Sequence, residues 1–187
     1  LMDADDISRF NRFEKQIDIF QNNNELSIVG GQILEIDHAS KKSISIRKVP
    51  VTDRNIKRNL TIRSPFNQMS VMFKKDDVIK AGNYKEFFHN EDYYLWARMF
   101  LEGFTFYNTP EILVDVRINE SFYNRRGGWR YFNSERTLQR YMLTKNIIKY
   151  PRFICNVSIR FLLQVAFTDS MRSLFFKKFA RKGLQSV

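Results

Sequence analysis

Leu1-Met2-Asp3-Ala4-Asp5-Asp6-Ile7-Ser8-Arg9-Phe10 is the stretch on which the fold reading turns. Three carboxylates within four positions repel one another unless water or a cation offsets their charge. Leu1-Met2 reads as the end of a buried strand, and Ile7-Ser8-Arg9-Phe10 leads into a helical pattern. Hard oxygen ligands at a strand end, beside a helix N-terminus, are how nucleotide-binding α/β proteins hold Mg²⁺ or Mn²⁺. A solvated acidic turn that caps the next helix is the plainer alternative. The pattern of the remaining residues weighs against it.

Phe10, Phe13, Ile17 and Phe20 recur at helical spacing and predict an apolar stripe ended by Asn22-Asn23-Asn24. Ser27 to Ile36 reads as a strand interrupted by Gly30-Gly31, where a bulge or close backbone approach is expected. Residues 39–63 read as a polar, basic surface excursion with one strand near Ile44–Ile46. Phe66 to Phe73 returns to the core, and Asp76 to Ala81 is a short helix stopped by Gly82. Glu91 to Glu102 is a helix with Glu91 and Asp92 in its first turn, where the dipole favours negative charge. Ile112 to Ile118 alternates as a half-buried strand. Beyond Arg125-Arg126-Gly127-Gly128 the chain predicts helices over about 131–150, 152–167 and 170–182, with Pro151 between the first two.

At 187 residues the chain suits one domain with a core plus an appendage. Having no room for a strand before the acidic cluster, it is expected to lack its natural N-terminus. The single cysteine, Cys155, permits no disulfide within the chain and fits a reducing compartment. No apolar run reaches the roughly 18 residues that span a bilayer. The net charge of +11 is lopsided: residues 1–124 carry 17 Lys and Arg against 18 Asp and Glu, and residues 125–187 carry 14 against 2. Such a split predicts an anionic partner for the last third: membrane lipid, a phosphorylated ligand or nucleic acid.

Taken in order, the motifs resemble a family 2 glycosyltransferase of the GT-A fold, in the bacterial capsular and exopolysaccharide branch of the amylovoran type. The resemblance runs through Met2-Asp3-Ala4-Asp5-Asp6 with Arg12, Val29-Gly30-Gly31, Ser64-Pro65-Phe66-Asn67, Ser70-Val71-Met72-Phe73 and Ala81-Gly82-Asn83-Tyr84. It continues through Glu91-Asp92-Tyr93-Tyr94-Leu95-Trp96-Ala97-Arg98, Asn108, Pro110, Leu113, Val116-Arg117 and Arg125-Arg126-Gly127-Gly128. The implied fold is α/β: residues 1–124 form the metal and acceptor side of a Rossmann-like GT-A domain, and 125–187 a basic helical extension. The nucleoside-binding half would precede residue 1, so the isolated chain is expected to be inactive. Relatives commonly carry His where this chain has Gln68, which keeps hydrogen bonding but cannot titrate.

By this resemblance the chain transfers a sugar from a nucleotide-sugar to a lipid-diphosphate-linked or saccharide acceptor by inverting displacement. Mn²⁺ or Mg²⁺ is expected on Asp5, with Asp3 and Asp6 nearby and Asp3 also toward the donor ribose, to neutralise the leaving diphosphate. Asp92 is the expected general base, with Glu91 its neighbour. Arg98, Arg125 and Arg126 are candidate phosphate ligands, the last two in a glycine-rich turn where backbone N–H groups can approach an anion. Asn67, Gln68 and Trp96 are candidates for the acceptor side, although a Trp four residues after Asp92 suits a core equally well. Leu174-Phe175-Phe176-Lys177-Lys178-Phe179 is a basic amphipathic tail suited to an anionic membrane surface. The expected location is cytoplasmic, peripheral on the inner face of the plasma membrane.

Two other classes compete. A phosphohydrolase of the haloacid dehalogenase type also opens with strand-Asp-x-Asp, and Lys74-Lys75-Asp76-Asp77 supplies its raw materials. The usual Ser or Thr after the second aspartate is missing, and Glu91-Asp92 would have no role. A non-catalytic basic module for lipid or RNA is the third; the aromatics sit at core spacings, against RNA stacking.

Overall fold

The computed structural model describes residues 1–118 and 127–167, with the backbone of 182–183. Arg125 and Arg126, and the tail over 168–181, lie outside the described residues. In chain order the elements begin with β1 (Ile7–Ser8), α1 (Arg12–Asn22), β2 (Leu26–Asp37), β3 (Ser43–Arg47) and α2 (Asp53–Leu60). A 3-10 turn at Gln68–Ser70 precedes β4 (Met72–Phe73), α3 (Lys75–Lys80), α4 (Glu91–Leu101) and β5 (Thr105–Ile118). Then come α5 (Trp129–Thr144), α6 (Tyr150–Phe161), a π turn at Leu162–Ala166, and β6 (Lys182–Gly183).

Among the described residues the strands form one mixed sheet in the order β1-β5-β2-β3-β6, with β4 also on β2. The long β2–β5 pair is parallel and every other pairing is antiparallel. Register shifts flank Gly30 and Gly31 as they face β5, which bears out the irregularity expected there. The cause is crowding. A Cβ on Gly30 would stand 2.2 Å from Asn108 Oδ1, and one on Gly31 2.5 Å from Leu113 Cδ1. The space so gained is filled by the Asn108 and Leu113 side chains of β5, and Gly31 N–H donates to Ser70 Oγ at 3.1 Å.

The larger core joins Ile28 of β2, Ile56 and Leu60 of α2, Phe66, Leu95, Trp96 and Met99 of α4, and Phe106 of β5. Leu138, Met142 and Ile148 belong to the same cluster, so the basic helical part is packed into the body. A second cluster, Ile33, Leu113, Val114, Val116 and Ile118, is covered by Met69.

Several elements differ from expectation. The helix at 12–22 forms, but inside out: Phe13 is 56% exposed and Ile17 46%, while Arg12 and Gln16 are fully buried. Buried carbonyls decide this, since Gln16 Nε2 donates to Val29 O at 2.7 Å and Ser70 O at 2.9 Å. Gln16 Oε1 accepts from Arg12 Nε, and Arg12 Nη2 donates to Leu1 O at 2.8 Å. Apolar side chains could not satisfy those groups. The stretch read as surface excursion contains β3 as expected, and also α2, whose Ile56 and Leu60 fill the core. Pro151 lies within the first turn of α6, where its missing N–H costs nothing, and does not separate two helices. Of the third expected helix, Lys182 lies in β6 and the rest lies outside the described residues.

Candidate active site

The acidic turn is held against β5. Residues Ile7 and Ser8 pair with Asp115 and Val114, and Arg9 grips Asp115 at 2.8 Å. Asp3 and Asp5 are exposed, whereas Asp6 is buried, with Oδ1 accepting from the Arg117 N–H at 3.2 Å. Its other oxygen, Oδ2, is buried without a hydrogen-bond partner. Burial pushes the Asp6 carboxyl up to about 6, a rise opposed by the Arg117 N–H and reinforced by the charges of Asp3 and Asp5.

A second group converges at the N-terminus of α4. Asp92 is half-buried in its first turn, and Glu91 beside it is exposed. Facing Asp92 is Tyr84, whose hydroxyl is buried and completes no hydrogen bond. Its pKa is pushed up to about 12, first by burial and then by the charge of Asp92, while the nearby Gln68 amide acts the other way. Gln68, Tyr84 and Asp92 therefore share one surface. Tyr84 ends the Ala81–Tyr84 motif, yet nothing in its spacing marks it as a site residue. The 67–71 turn links the two groups: it carries Gln68, and Val71 O accepts from the Leu1 amino group at 2.8 Å just before the acidic turn.

Three expected site residues are placed elsewhere. Trp96 is fully buried and meets Phe66 edge-on at 5.3 Å between ring centres, beneath the site and not on an acceptor surface. Arg98 is committed within the fold. Its Nη1 donates to Ala81 O at 2.6 Å and its Nη2 to Asn83 O at 2.7 Å, and the guanidinium lies 4.6 Å from the Tyr94 ring. It fixes the turn that presents Tyr84, in which Gly82 has φ +84°, instead of reaching phosphate. Asn67 is wholly buried, donating to Gly31 O at 2.8 Å and Arg47 O at 3.3 Å, so it positions Gln68 and offers no surface itself.

Hard carboxylate oxygens with an orphaned Asp6 Oδ2 suit a divalent cation such as Mg²⁺ or Mn²⁺. Among the described residues no three His, Cys, Asp or Glu side chains close into a ready-made ligand group. Other ligands would have to come from water or a bound diphosphate.

A mixed α/β sheet with an acidic turn and a carboxylate-bearing helix N-terminus, joined through the 67–71 turn, is a layout suited to group transfer. Comparison with known proteins narrows this. The chain is 34% identical, over 97% of its length, to the amylovoran biosynthesis glycosyltransferase AmsE of Erwinia amylovora, of which it spans 67%. It is also 34% identical, over 97%, to a UDP-Gal:alpha-D-GlcNAc-diphosphoundecaprenol beta-1,3-galactosyltransferase of Escherichia coli, spanning 66% of that protein. An uncharacterised glycosyltransferase of Haemophilus influenzae is 37% identical over 70% of the chain. No family model matches. The chain belongs to the glycosyltransferases that include these bacterial polysaccharide-building enzymes. It spans about two thirds of the length of the first two.

Proposed function

We propose that the chain is the metal and acceptor side of an inverting family 2 glycosyltransferase. It moves a sugar from a nucleotide-sugar to a lipid-diphosphate-linked acceptor during surface polysaccharide synthesis. The observation that carries the reading is the convergence of Asp92, Tyr84 and Gln68 beside the turn that adjoins Asp3, Asp5 and Asp6. The Escherichia coli relative is named for a diphosphoundecaprenol-linked acceptor, and that chemistry is carried over here as part of the proposal.

In this reading Asp92 takes the proton from the acceptor hydroxyl as that oxygen attacks the anomeric carbon. Its place in the first turn of α4 holds it still, where the helix dipole favours negative charge. The Tyr84 hydroxyl and Gln68 amide offer hydrogen bonds that orient the acceptor. Glu91 adds negative potential at the entrance. Asp3, Asp5 and Asp6 would hold Mn²⁺ or Mg²⁺, with Asp5 the direct ligand and Asp3 also toward the ribose. A bound cation would neutralise charge on the leaving diphosphate. Arg125 and Arg126, which lie outside the described residues, are proposed to bind diphosphate.

Nucleotide release by the natural reading frame tests this, with sugar nucleotides, Mn²⁺ and a lipid-diphosphate acceptor. Asp92→Asn should lower turnover by roughly 10²–10⁴-fold, the range for loss of a general base, and EDTA should abolish it. Release that survives both treatments would remove the base and the cation from the reading.

A further inference from the structure

The outward face of α6 does not behave as the solvent side of a soluble helix. Asn156 is buried and donates to Thr61 O and Gln139 Oε1, each at 2.8 Å, and Arg160 donates to Ile62 O and pairs with Glu135. Polar groups thus face the body. At about 100° per residue, Ile154 lies on the side opposite Asn156, Cys155 and Leu162 lie more than a quarter turn from it, and Ile159 flanks that outward face. Ile154, Ile159 and Leu162 are 46%, 49% and 50% exposed. Tyr150 at one end is 65% exposed and Trp129, which meets Phe161 at the other, 60%.

The surrounding charge has one sign. Across 127–167 the cations Arg130, Arg136, Arg140, Lys145, Lys149 and Arg152 are all exposed. The single carboxylate in that span, Glu135, is buried against Arg160. An exposed apolar face with Trp and Tyr at its ends, on a part of the chain whose exposed charges are all cationic and with Lys149 and Arg152 at its own first turn, is the chemistry of a helix lying in a lipid headgroup layer. A second copy is a poorer occupant, because facing copies would bring like charges together.

We propose that α6, with Trp129, docks the protein on an anionic bilayer, with Ile154, Ile159, Phe161 and Leu162 entering the headgroup boundary. It rests on the transferase reading only in that a lipid-linked acceptor lies in such a bilayer.

Vesicle binding tests it without any turnover, so the two readings can fail separately. Cys155 is exposed on this face and is the single cysteine of the 187 residues, so it can carry a polarity-sensitive fluorophore. Unlabelled protein should partition onto phosphatidylglycerol-containing vesicles at least about tenfold better than onto phosphatidylcholine, with the advantage lost in high salt. On the labelled protein, emission should shift blue only when anionic vesicles are added. Ile154→Glu with Leu162→Glu should reduce binding about tenfold or more at unchanged circular dichroism. Should that pair misfold, Lys149→Glu with Arg152→Glu must show the same loss. Equal binding to both lipids, or binding unchanged in the variants, overturns the proposal. So does a label already shielded without lipid, since the chain's own tail or a second copy would then cover the face.

Discussion

Replacing Glu135 with Leu should be among the most destabilising single changes in the helical part of the chain. The Glu135 and Arg160 side chains are only 10% and 11% exposed, and the pair ties α5 to α6. Burial is the largest single influence and works against the Arg160 charge, yet the charge and hydrogen bond of Glu135, with Tyr93 and Tyr131, together hold the guanidinium above its ordinary range. Arg160 also donates to Ile62 O at 2.8 Å and Asn156 O at 3.2 Å, so it cannot swing out to water without releasing α2's end. With Glu135 removed, two neutral carbonyls remain for a buried positive charge. Breaking a buried pair in this way costs about 3–5 kcal/mol. Arg160→Met strands the carboxylate instead, which keeps the Tyr131 hydroxyl as a donor, so about 2–3 kcal/mol is expected there. The double variant leaves no stranded charge and refills the space with apolar atoms, and should lie within about 1 kcal/mol of wild type. Urea unfolding of the four proteins at pH 7 reads this directly, as a coupling of at least about 2 kcal/mol. A Glu135→Leu cost below about 1 kcal/mol, or a double variant as weak as the sum of the singles, would refute the reasoning.

Gly30→Ala should destabilise by about 1–3 kcal/mol through overpacking, because its Cβ would meet Asn108 Oδ1; unfolding of Gly30→Ala with Asn108→Ala should restore part of the loss. Arg98→Lys should cost about 1–2 kcal/mol, since one ammonium cannot bridge two carbonyls as the guanidinium fork does. Donor KM should stay unchanged in that variant, and a large rise would return Arg98 to the phosphate site. Asp6 is protonated more readily in the folded than in the unfolded chain, so in metal-free buffer stability should rise as pH falls from about 6 toward 4. Asp6→Asn should flatten that profile in a thermal melt, and an unaltered slope would mean Asp6 is not the group responsible. Trp96→Phe should lower stability by burial loss without moving acceptor KM, as a residue beneath the site requires.

The order of motifs along the chain was enough for the enzyme class, because each motif is a local signal and their spacing is kept along nearly the whole chain. The strand at 26–37, the 112–118 half of the strand at 105–118, the glycine irregularity between them and the carboxylates at the head of α4 arise from periodicity and backbone sterics that act over a few residues, whereas the 105–111 half was not read as strand. Which face of a helix points inward does not arise so. The apolar stripe of α1 is one that pattern alone turns to the core, yet the carbonyls of Val29 and Ser70 needed donors and Gln16 turned inward to supply them; in α6 Asn156 does the same for Thr61. The same long-range demands took Arg98 to the backbone of the 81–83 turn and Trp96 to Phe66. They also set Tyr84 opposite Asp92. Sequence spacing records the period of each element. The direction it faces is set by unsatisfied groups brought near from tens of residues away, and only the packed chain reveals them.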